Sequence, residues 1–327
     1  MLPVAELHIH IEGSLEAETL IRLARRNDIA LPSYDPDELR ARYVFDDLQS
    51  FLDIYYENIA VVRTEEDFYD LGAAYLARAA RAGVRRAEMF VDLQTHTARG
   101  IDPAVVFAGL GAAIDDAPDV SGALLLSFLR DLGPEAASET FTSALPYRDR
   151  FIGVGLDSAE VGFPPSLFAD VYAAAASEGL HRVAHAGEEG GPDYVWEAID
   201  VLGVERIDHG NRAMEDPELV ARLREQRIPL TVCPLSNVAL KTGPADLSEH
   251  ILPAMLAEGL IVSINSDDPA YFGGYVDDNL EAVRSSLGLS AAQLGELAEN
   301  SFTSSFLDDD ATALLIAEVR TAVTDVQ

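Results

Sequence analysis

Two histidines that lie two positions apart, His8 and His10, follow the start of a short apolar run at Val4. Side chains at positions i and i+2 of a β-strand face the same side, so a strand here would place both imidazoles together. Two imidazoles beside a carboxylate can bind a divalent metal ion. Because His185 and Asp267 end two other apolar runs, we favour a metal site over a chance pair of histidines. The four residues predict a cluster of three imidazoles and one carboxylate.

Such a ligand set favours zinc with an open position for water, although ligand types alone leave iron and manganese open. Glu188, three residues after His185, is a candidate proton donor, because burial raises the pKa of a carboxyl group. His209 is either a fourth imidazole ligand or a residue that orients the water, and we favour the second role. Asp267 and Asp268 would point to opposite faces of one strand end, so that one binds metal and the other meets the substrate.

These residues lie at the ends of short runs that alternate with helical patterns. The eight runs cover residues 4–10, 86–92, 123–129, 151–156, 182–185, 206–209, 229–232 and 260–265. Eight strand–helix alternations predict an α/β fold, a (β/α)8 TIM-type barrel, whose functional side chains gather where the strands end. A doubly wound sheet is the alternative, but no G-x-G-x-x-G motif follows the first run.

A long insertion separates the first and second predicted strands. Its pattern indicates four helices, at residues 15–26, 36–43, 48–62 and 65–82. An insertion at this place can fold over the mouth of the barrel. The chain has no internal repeat and no linker rich in Pro, Gly or Ser, so we expect residues 1–327 to form a single domain.

The charge and composition restrict the classes of partner and the cellular location that we expect. The 327 residues carry a net charge of −33, which disfavours nucleic acid and anionic membranes as partners. No apolar stretch approaches the ~20 residues of a membrane span, and the start of the sequence does not resemble a secretory signal. The single cysteine, Cys233, excludes an internal disulfide framework. We therefore expect a cytoplasmic protein that acts on a small molecule, with self-association left open. His181 and His250 are expected at the surface.

Five motifs, in this order, resemble those of the adenosine/adenine deaminase family of zinc hydrolases. They are ELHIHIEGS at residues 6–14, HAGE at 185–188, DHG at 208–210, CPLSN at 233–237 and SDDP at 266–269. Each motif alone is a weak signal, but five in order over most of the chain are specific. The resemblance implies a barrel enzyme that binds one zinc ion per chain and deaminates a purine by hydrolysis.

Carried over to this sequence, the resemblance also implies individual roles. It implies zinc ligands at His8, His10, His185 and Asp267. It further implies that Glu188 donates a proton to purine N1, that His209 orients and deprotonates the attacking water, that Asp268 hydrogen-bonds N7 and that the Gly187 N–H meets N3.

Within the family, the chain resembles the members that act on the free base adenine. Glu12 stands where adenosine-acting members carry aspartate, and the longer side chain would intrude where ribose sits. Leu93 stands where the free-base members carry proline, which keeps N6-substituted adenines open as substrates, with adenosine as the other alternative. A two-metal phosphoesterase or amidase is disfavoured because the only lysine, Lys241, lies far from the fourth predicted strand. A non-catalytic purine-binding protein is disfavoured because every expected residue is present.

Overall fold

In the computed structural model, which describes residues 2–325, eight parallel strands neighbour one another in sequence order. They are β1 (Val4–His10), β2 (Val84–Val91), β3 (Ser121–Leu129), β4 (Gly153–Asp157), β5 (His181–Ala186), β6 (Arg206–His209), β7 (Leu230–Val232) and β8 (Val262–Ile264). The ring closes where Ile9 of β1 bridges Asp267 beyond β8. The predicted (β/α)8 barrel is confirmed, and each of the eight predicted runs overlaps one strand.

Helices surround the barrel and fill the insertion after β1. They are α1 (Ala17–Arg26), α2 (Pro36–Arg40), α3 (Leu48–Ile59), α4 (Glu65–Arg81), α5 (Leu93–Thr97), α6 (Pro103–Asp115), α7 (Gly133–Ala144), α8 (Ala169–Ser177), α9 (Pro192–Glu197), α10 (Pro217–Gln226), α11 (Pro234–Ala239), α12 (Leu252–Ala257), α13 (Pro269–Phe272), α14 (Val276–Leu287), α15 (Ala291–Thr303) and α16 (Asp309–Asp325). Helices α1 to α4 confirm the four expected in the insertion. Within residues 2–325, no helix is long and apolar enough to cross a bilayer.

Local signals explain how the longest inserted helix forms. At the start of α4, the Thr64 hydroxyl accepts the Asp67 N–H and the Asp67 carboxylate accepts the Thr64 N–H, which is a capping box. Phe68, Leu71 and Tyr75 then recur at helical spacing and are buried in the main core. The helix therefore lays one apolar face on the barrel and begins at a defined residue.

The barrel interior contains a buried ionic network and an apolar layer. Arg206 on β6 donates to Glu88 on β2 at 2.7 Å, and Arg86 donates to the other oxygen of Glu88 at 3.1 Å. Two residues further along β2, Phe90 packs with Leu125 and Val183 in a small buried cluster. Phe90 also contacts the imidazoles of the strand ends, so this layer forms the floor of the site described below.

The insertion covers the mouth of the barrel, as expected. Phe51 of α3 packs its ring against Tyr271 and Phe272, which follow β8, at centroid distances of 5.5 and 4.7 Å. On the next turn, the Tyr55 hydroxyl donates to Asp92 Oδ2, at the end of β2, at 2.8 Å. Helix α3 thus bridges the ends of two strands and closes the space between them.

Candidate active site

The predicted metal ligands converge at the carboxyl ends of β1, β5 and β8. His8 Nε2 and His10 Nε2 lie 3.2 and 3.5 Å from Asp267 Oδ1, and His10 Nε2 lies 3.1 Å from His185 Nε2. All four residues are buried, and their ligand atoms lie within 4.8 Å of one another. Tetrahedral zinc with nitrogen ligands at 2.0–2.1 Å separates those ligands by about 3.3 Å. The donor types and spacing therefore fit one zinc ion.

The second nitrogen of each imidazole faces an oxygen atom. His8 Nδ1 lies 3.0 Å from Thr231 Oγ1, His10 Nδ1 lies 3.5 Å from Asp157 Oδ2, and His185 Nδ1 lies 3.7 Å from Asp208 Oδ2. Metal-binding histidines commonly donate their other N–H to an oxygen in this way, which fixes the ring orientation. The surroundings of the cluster are therefore also those of a metal site.

Burial and neighbouring charges shift the pKa values of the cluster in opposite directions. Burial and the nearby His8 lower the pKa of His185 well below its usual range. Burial also opposes the charge on His10, but the carboxylates of Asp268 and Asp92 outweigh it and raise the pKa of His10 well above its usual range. In the metal-free protein these surroundings favour charge on His10 and the neutral form of His185.

Glu188 and His209 meet beside the cluster. Glu188 follows β5 and is 5% exposed, and its Oε2 lies 3.5 Å from His209 Nε2. Burial, then the negative charge of Asp267, raises the pKa of Glu188 well above its usual range. Burial lowers the pKa of His209 to about 3. Burial therefore favours the protonated form of Glu188 and the neutral form of His209, an acid and a base of the kind that proton transfer in two directions requires.

Unusual backbone conformations aim two of these side chains. His209 and Asp267 both have φ values of +64°, which residues other than glycine rarely adopt. Such strained positions cluster at functional sites. His209 is the last residue of β6 and Asp267 follows β8, so both lie where the chain leaves the barrel wall.

A cavity opens above the cluster. It is lined by His10, Leu48, Phe51, Leu52, Tyr55, Tyr56, Asp92, Leu129, Asp157, Ser158, His185, Glu188, His209, Leu240, Asp267 and Asp268. Asp268 is buried, and its Oδ1 has no hydrogen-bond partner among the described residues. Gly13 makes room for it, because a Cβ atom at residue 13 would overlap the Asp268 carboxylate.

Sequence reasoning missed two carboxylates that line this cavity. Asp92 follows β2 and Asp157 ends β4, and both are buried. Burial, then the charge of Asp92, raises the pKa of Asp157 well above its usual range. Their positions at strand ends, the same signal that identified His10 and Asp267, could have found them.

Two predicted substrate contacts lie elsewhere. Glu12 is fully buried but does not line the cavity; its carboxylate lies 2.7 Å from His96 Nε2 and accepts the Asp92 N–H at 3.2 Å. The Gly187 N–H already donates to Glu160 Oε1 at 2.7 Å. Neither residue therefore lines the cavity: the Glu12 carboxylate binds the backbone of Asp92, and the Gly187 N–H is bonded to Glu160.

Comparison with known proteins agrees with this geometry. The family model described as adenosine deaminase matches residues 3–322. The chain belongs to the adenosine deaminase family. An adenine deaminase of Streptomyces coelicolor is 60% identical over 312 residues, which covers 94% of this chain and 92% of that protein. An adenine deaminase of Cupriavidus necator is 54% identical over 320 residues, or 97% of this chain and 91% of that protein.

Solved structures of family members share the fold. The crystal structure of an adenine deaminase from Arthrobacter aurescens superposes with a TM-score of 0.97 at 52% identity and covers 99% of this chain and 100% of that one. An amidohydrolase from Burkholderia ambifaria, solved with bound Zn, superposes with a TM-score of 0.88 at 29% identity and covers 99% of this chain and 91% of that one.

Proposed function

We propose that this chain catalyses the hydrolytic deamination of adenine to hypoxanthine and ammonia. The observation that carries the proposal is the convergence of three imidazoles, one carboxylate and the buried Glu188 on a single cavity. Support for adenine as the substrate comes from relatives named adenine deaminase that are 60% and 54% identical over nearly the whole chain.

We propose that His8, His10, His185 and Asp267 hold one zinc ion. Three nitrogens and one carboxylate are a zinc-preferring donor set, and the Burkholderia ambifaria relative carries Zn. When bound, zinc acts as a Lewis acid and lowers the pKa of water towards ~7, which supplies a nucleophile at neutral pH.

The residues around the proposed ion would move the protons. Glu188 donates a proton to purine N1, which draws electron density away from C6 and favours attack there. His209 accepts a proton from the attacking water as the C6–O bond forms. Return of a proton to the exocyclic nitrogen makes ammonia the leaving group as the C6–N bond breaks. Each such proton transfer typically contributes about 10²–10⁴ in rate.

The remaining cavity wall would orient the base. Asp268 faces the cavity beside Asp267, where a hydrogen bond to N7 would fix the ring. Helix α3 contributes Leu48, Leu52 and Tyr56 to the wall. The cover that these side chains provide favours a free base over the larger nucleoside.

Parallel assays test the assignment. The purified protein is loaded with one equivalent of zinc and assayed for the 6-oxopurine product, which is hypoxanthine from adenine or N6-isopentenyladenine and inosine from adenosine. We expect the highest kcat/KM on adenine. A higher value on adenosine or on the substituted base would overturn the choice of substrate and keep the reaction class, whereas no 6-oxopurine product from any of the three would overturn the reaction class.

We further propose that residues 1–327 work as a single domain in the cytoplasm, with the purine base as partner and no nucleic acid or membrane. The net charge of −33 and the single buried cysteine, Cys233, support this setting. Cell fractionation followed by the adenine assay tests it: activity in the membrane pellet or outside the cell would contradict the location.

A further inference from the structure

One buried carboxylate outside the proposed catalytic set organises the loop that carries Glu188. Glu160 lies in the segment after β4 and is 1% exposed. Its Oε1 accepts the Gly187 N–H at 2.7 Å. Its Oε2 accepts three N–H groups, from Glu188 at 3.1 Å, Glu189 at 2.7 Å and Gly190 at 2.8 Å. Four consecutive backbone amides thus donate to one side chain.

The loop conformation depends on an anion at this place. Consecutive amides that point to one spot form a nest, which binds negative charge. Gly187 reaches the required turn with a φ of +76°, and a Cβ atom at Gly190 would come within 3 Å of Tyr194 and of Glu160 Oε1. Hydrogen bonds to an ionised acceptor are about twice as strong as neutral ones. The carboxylate therefore fills a concave site that the backbone closely surrounds.

Glu160 is itself held from both sides. Its carbonyl oxygen accepts the Phe163 N–H at 3.1 Å. The buried Arg130 donates to the Phe163 carbonyl and to the His185 carbonyl, both at 2.8 Å. Arg130 therefore fixes the Glu160 segment to the end of β5, three residues before Glu188.

The buried Glu188 side chain has few polar contacts of its own. Its Oε1 has no hydrogen-bond partner among the described residues, and its Oε2 lies 3.5 Å from His209 Nε2. The direction of the carboxyl group is therefore set by the backbone beneath it, which Glu160 holds.

We propose that Glu160 is a positioning residue for the reaction, because its carboxylate clamps the four amides of residues 187–190 and thereby fixes the catalytic acid Glu188. The inference rests on the proposed function. A misplacement of about 1 Å at a reacting group can cost roughly 100-fold in rate. We therefore expect the loss in kcat and not in KM, since the clamp touches no substrate-binding side chain.

Glu160→Gln is the direct perturbation. The amide keeps the volume, but its NH₂ group must face an N–H donor whichever way it turns. If the amide oxygen takes the place of Oε2, the NH₂ group opposes the Gly187 N–H. We expect kcat on adenine to fall about 100-fold with KM within about threefold and zinc retained. Glu160→Asp keeps the charge but reaches fewer amides, so we expect a smaller fall of about 10-fold.

A double-mutant cycle separates positioning from general damage. If Glu160 acts through Glu188, then Glu160→Gln lowers the residual kcat of a Glu188→Gln protein by less than about threefold. An equal fall in both backgrounds, or a Glu160→Gln protein within threefold of the parent, would overturn the inference. If Glu160→Gln does not fold, as judged by melting temperature and zinc content, the same cycle is run with Glu160→Asp and judged by the same ratios.

Two controls complete the design. Glu189→Gln removes a charge from the same loop without removing an acceptor of the clamp, and we expect its kcat within about twofold of the parent. If kcat falls as far in Glu189→Gln as in Glu160→Gln, the result would contradict the clamp and indicate that the negative charge of the loop is what matters. Failure of the proposed function looks different: the parent protein, with Glu160 and Glu188 intact, would then form no hypoxanthine from adenine.

Discussion

Replacement of Glu188 by glutamine tests the proton donor. Glutamine has the same shape, and the backbone N–H of residue 188 still donates to Glu160. The change therefore removes the acidic proton and leaves the loop in place. Because Glu188 is 5% exposed, bulk water has poor access to replace it as a proton source.

The size of the effect follows from that burial. General acid catalysis contributes about 10²–10⁴ in rate, and the enclosed site favours the upper part, so we expect kcat to fall about 10³-fold or more. This corresponds to about 4 kcal/mol of lost transition-state stabilisation, at 1.36 kcal/mol for each factor of ten. An amide N–H can still donate to N1 in the ground state, so KM should change by less than about fivefold.

The assay follows the purine absorbance change on zinc-loaded protein, with zinc content and melting temperature measured on the same sample. Glu189→Gln serves as the matched control, since it neutralises the next residue of the loop. A Glu188→Gln protein that holds zinc and turns over within tenfold of the parent refutes the acid role. Loss of zinc in this variant would refute the assumption that Glu188 lies outside the ligand set.

Three further predictions concern packing, stability and pH. Gly13→Ala places a methyl group where the Asp268 carboxylate lies, so the carboxylate must move. The substrate then loses one hydrogen bond, and we expect KM to rise about 10-fold in steady-state kinetics. An unchanged KM would contradict the role of Asp268. Glu88→Ala leaves Arg206 buried without the carboxylate that it binds. We expect urea denaturation to give an unfolding free energy about 3–5 kcal/mol lower, because a buried charge loses its partner. A loss below about 1 kcal/mol would show that the ionic network relaxes. His209 has a folded pKa of about 3, below its unfolded value. The contribution of neutral His209 to the stability of the folded protein is therefore present above pH ~6.5 and is lost as the pH falls towards 3. In urea titrations of the metal-free protein from pH 7 to 4, the free energy of unfolding should fall less in His209→Asn than in the parent. An equal fall with pH in the two proteins would contradict the shifted pKa.

The barrel and its metal cluster could be read from the sequence because both follow from local patterns. Each strand corresponds to a short apolar run in the sequence. Because the strands close into a barrel, the side chains at their carboxyl ends must lie close together. The prediction ended the fourth run one residue short of Asp157, so that carboxylate was missed. Asp92 ends the second predicted run, so the same reasoning could have found it, but the prediction gave it no role.

Other features depend on contacts that leave no pattern in the sequence. Glu160 binds backbone amides 27 to 30 residues away. Because a backbone N–H donor does not depend on the side chain of its residue, the sequence carries no signal for this contact. The prediction of His250 at the surface was wrong: it is buried, its Nδ1 accepts the Leu252 N–H at 3.1 Å, and its Nε2 lies 3.3 Å from Asn237 Oδ1. Glu12 was expected to face the substrate, but its partner His96 lies on α5, a short helix that the strand pattern does not predict.

The most direct test of the account is the metal content of the protein and of ligand variants. Elemental analysis of the purified protein, stripped and reloaded with zinc, should give one zinc ion per chain. His185→Ala should hold less than about a tenth of that amount after dialysis and lose activity with it, while Lys241→Ala, at an exposed position, should keep both. A His185→Ala protein that retains one zinc ion and full turnover would contradict the central claim that these imidazoles and Asp267 form the metal site.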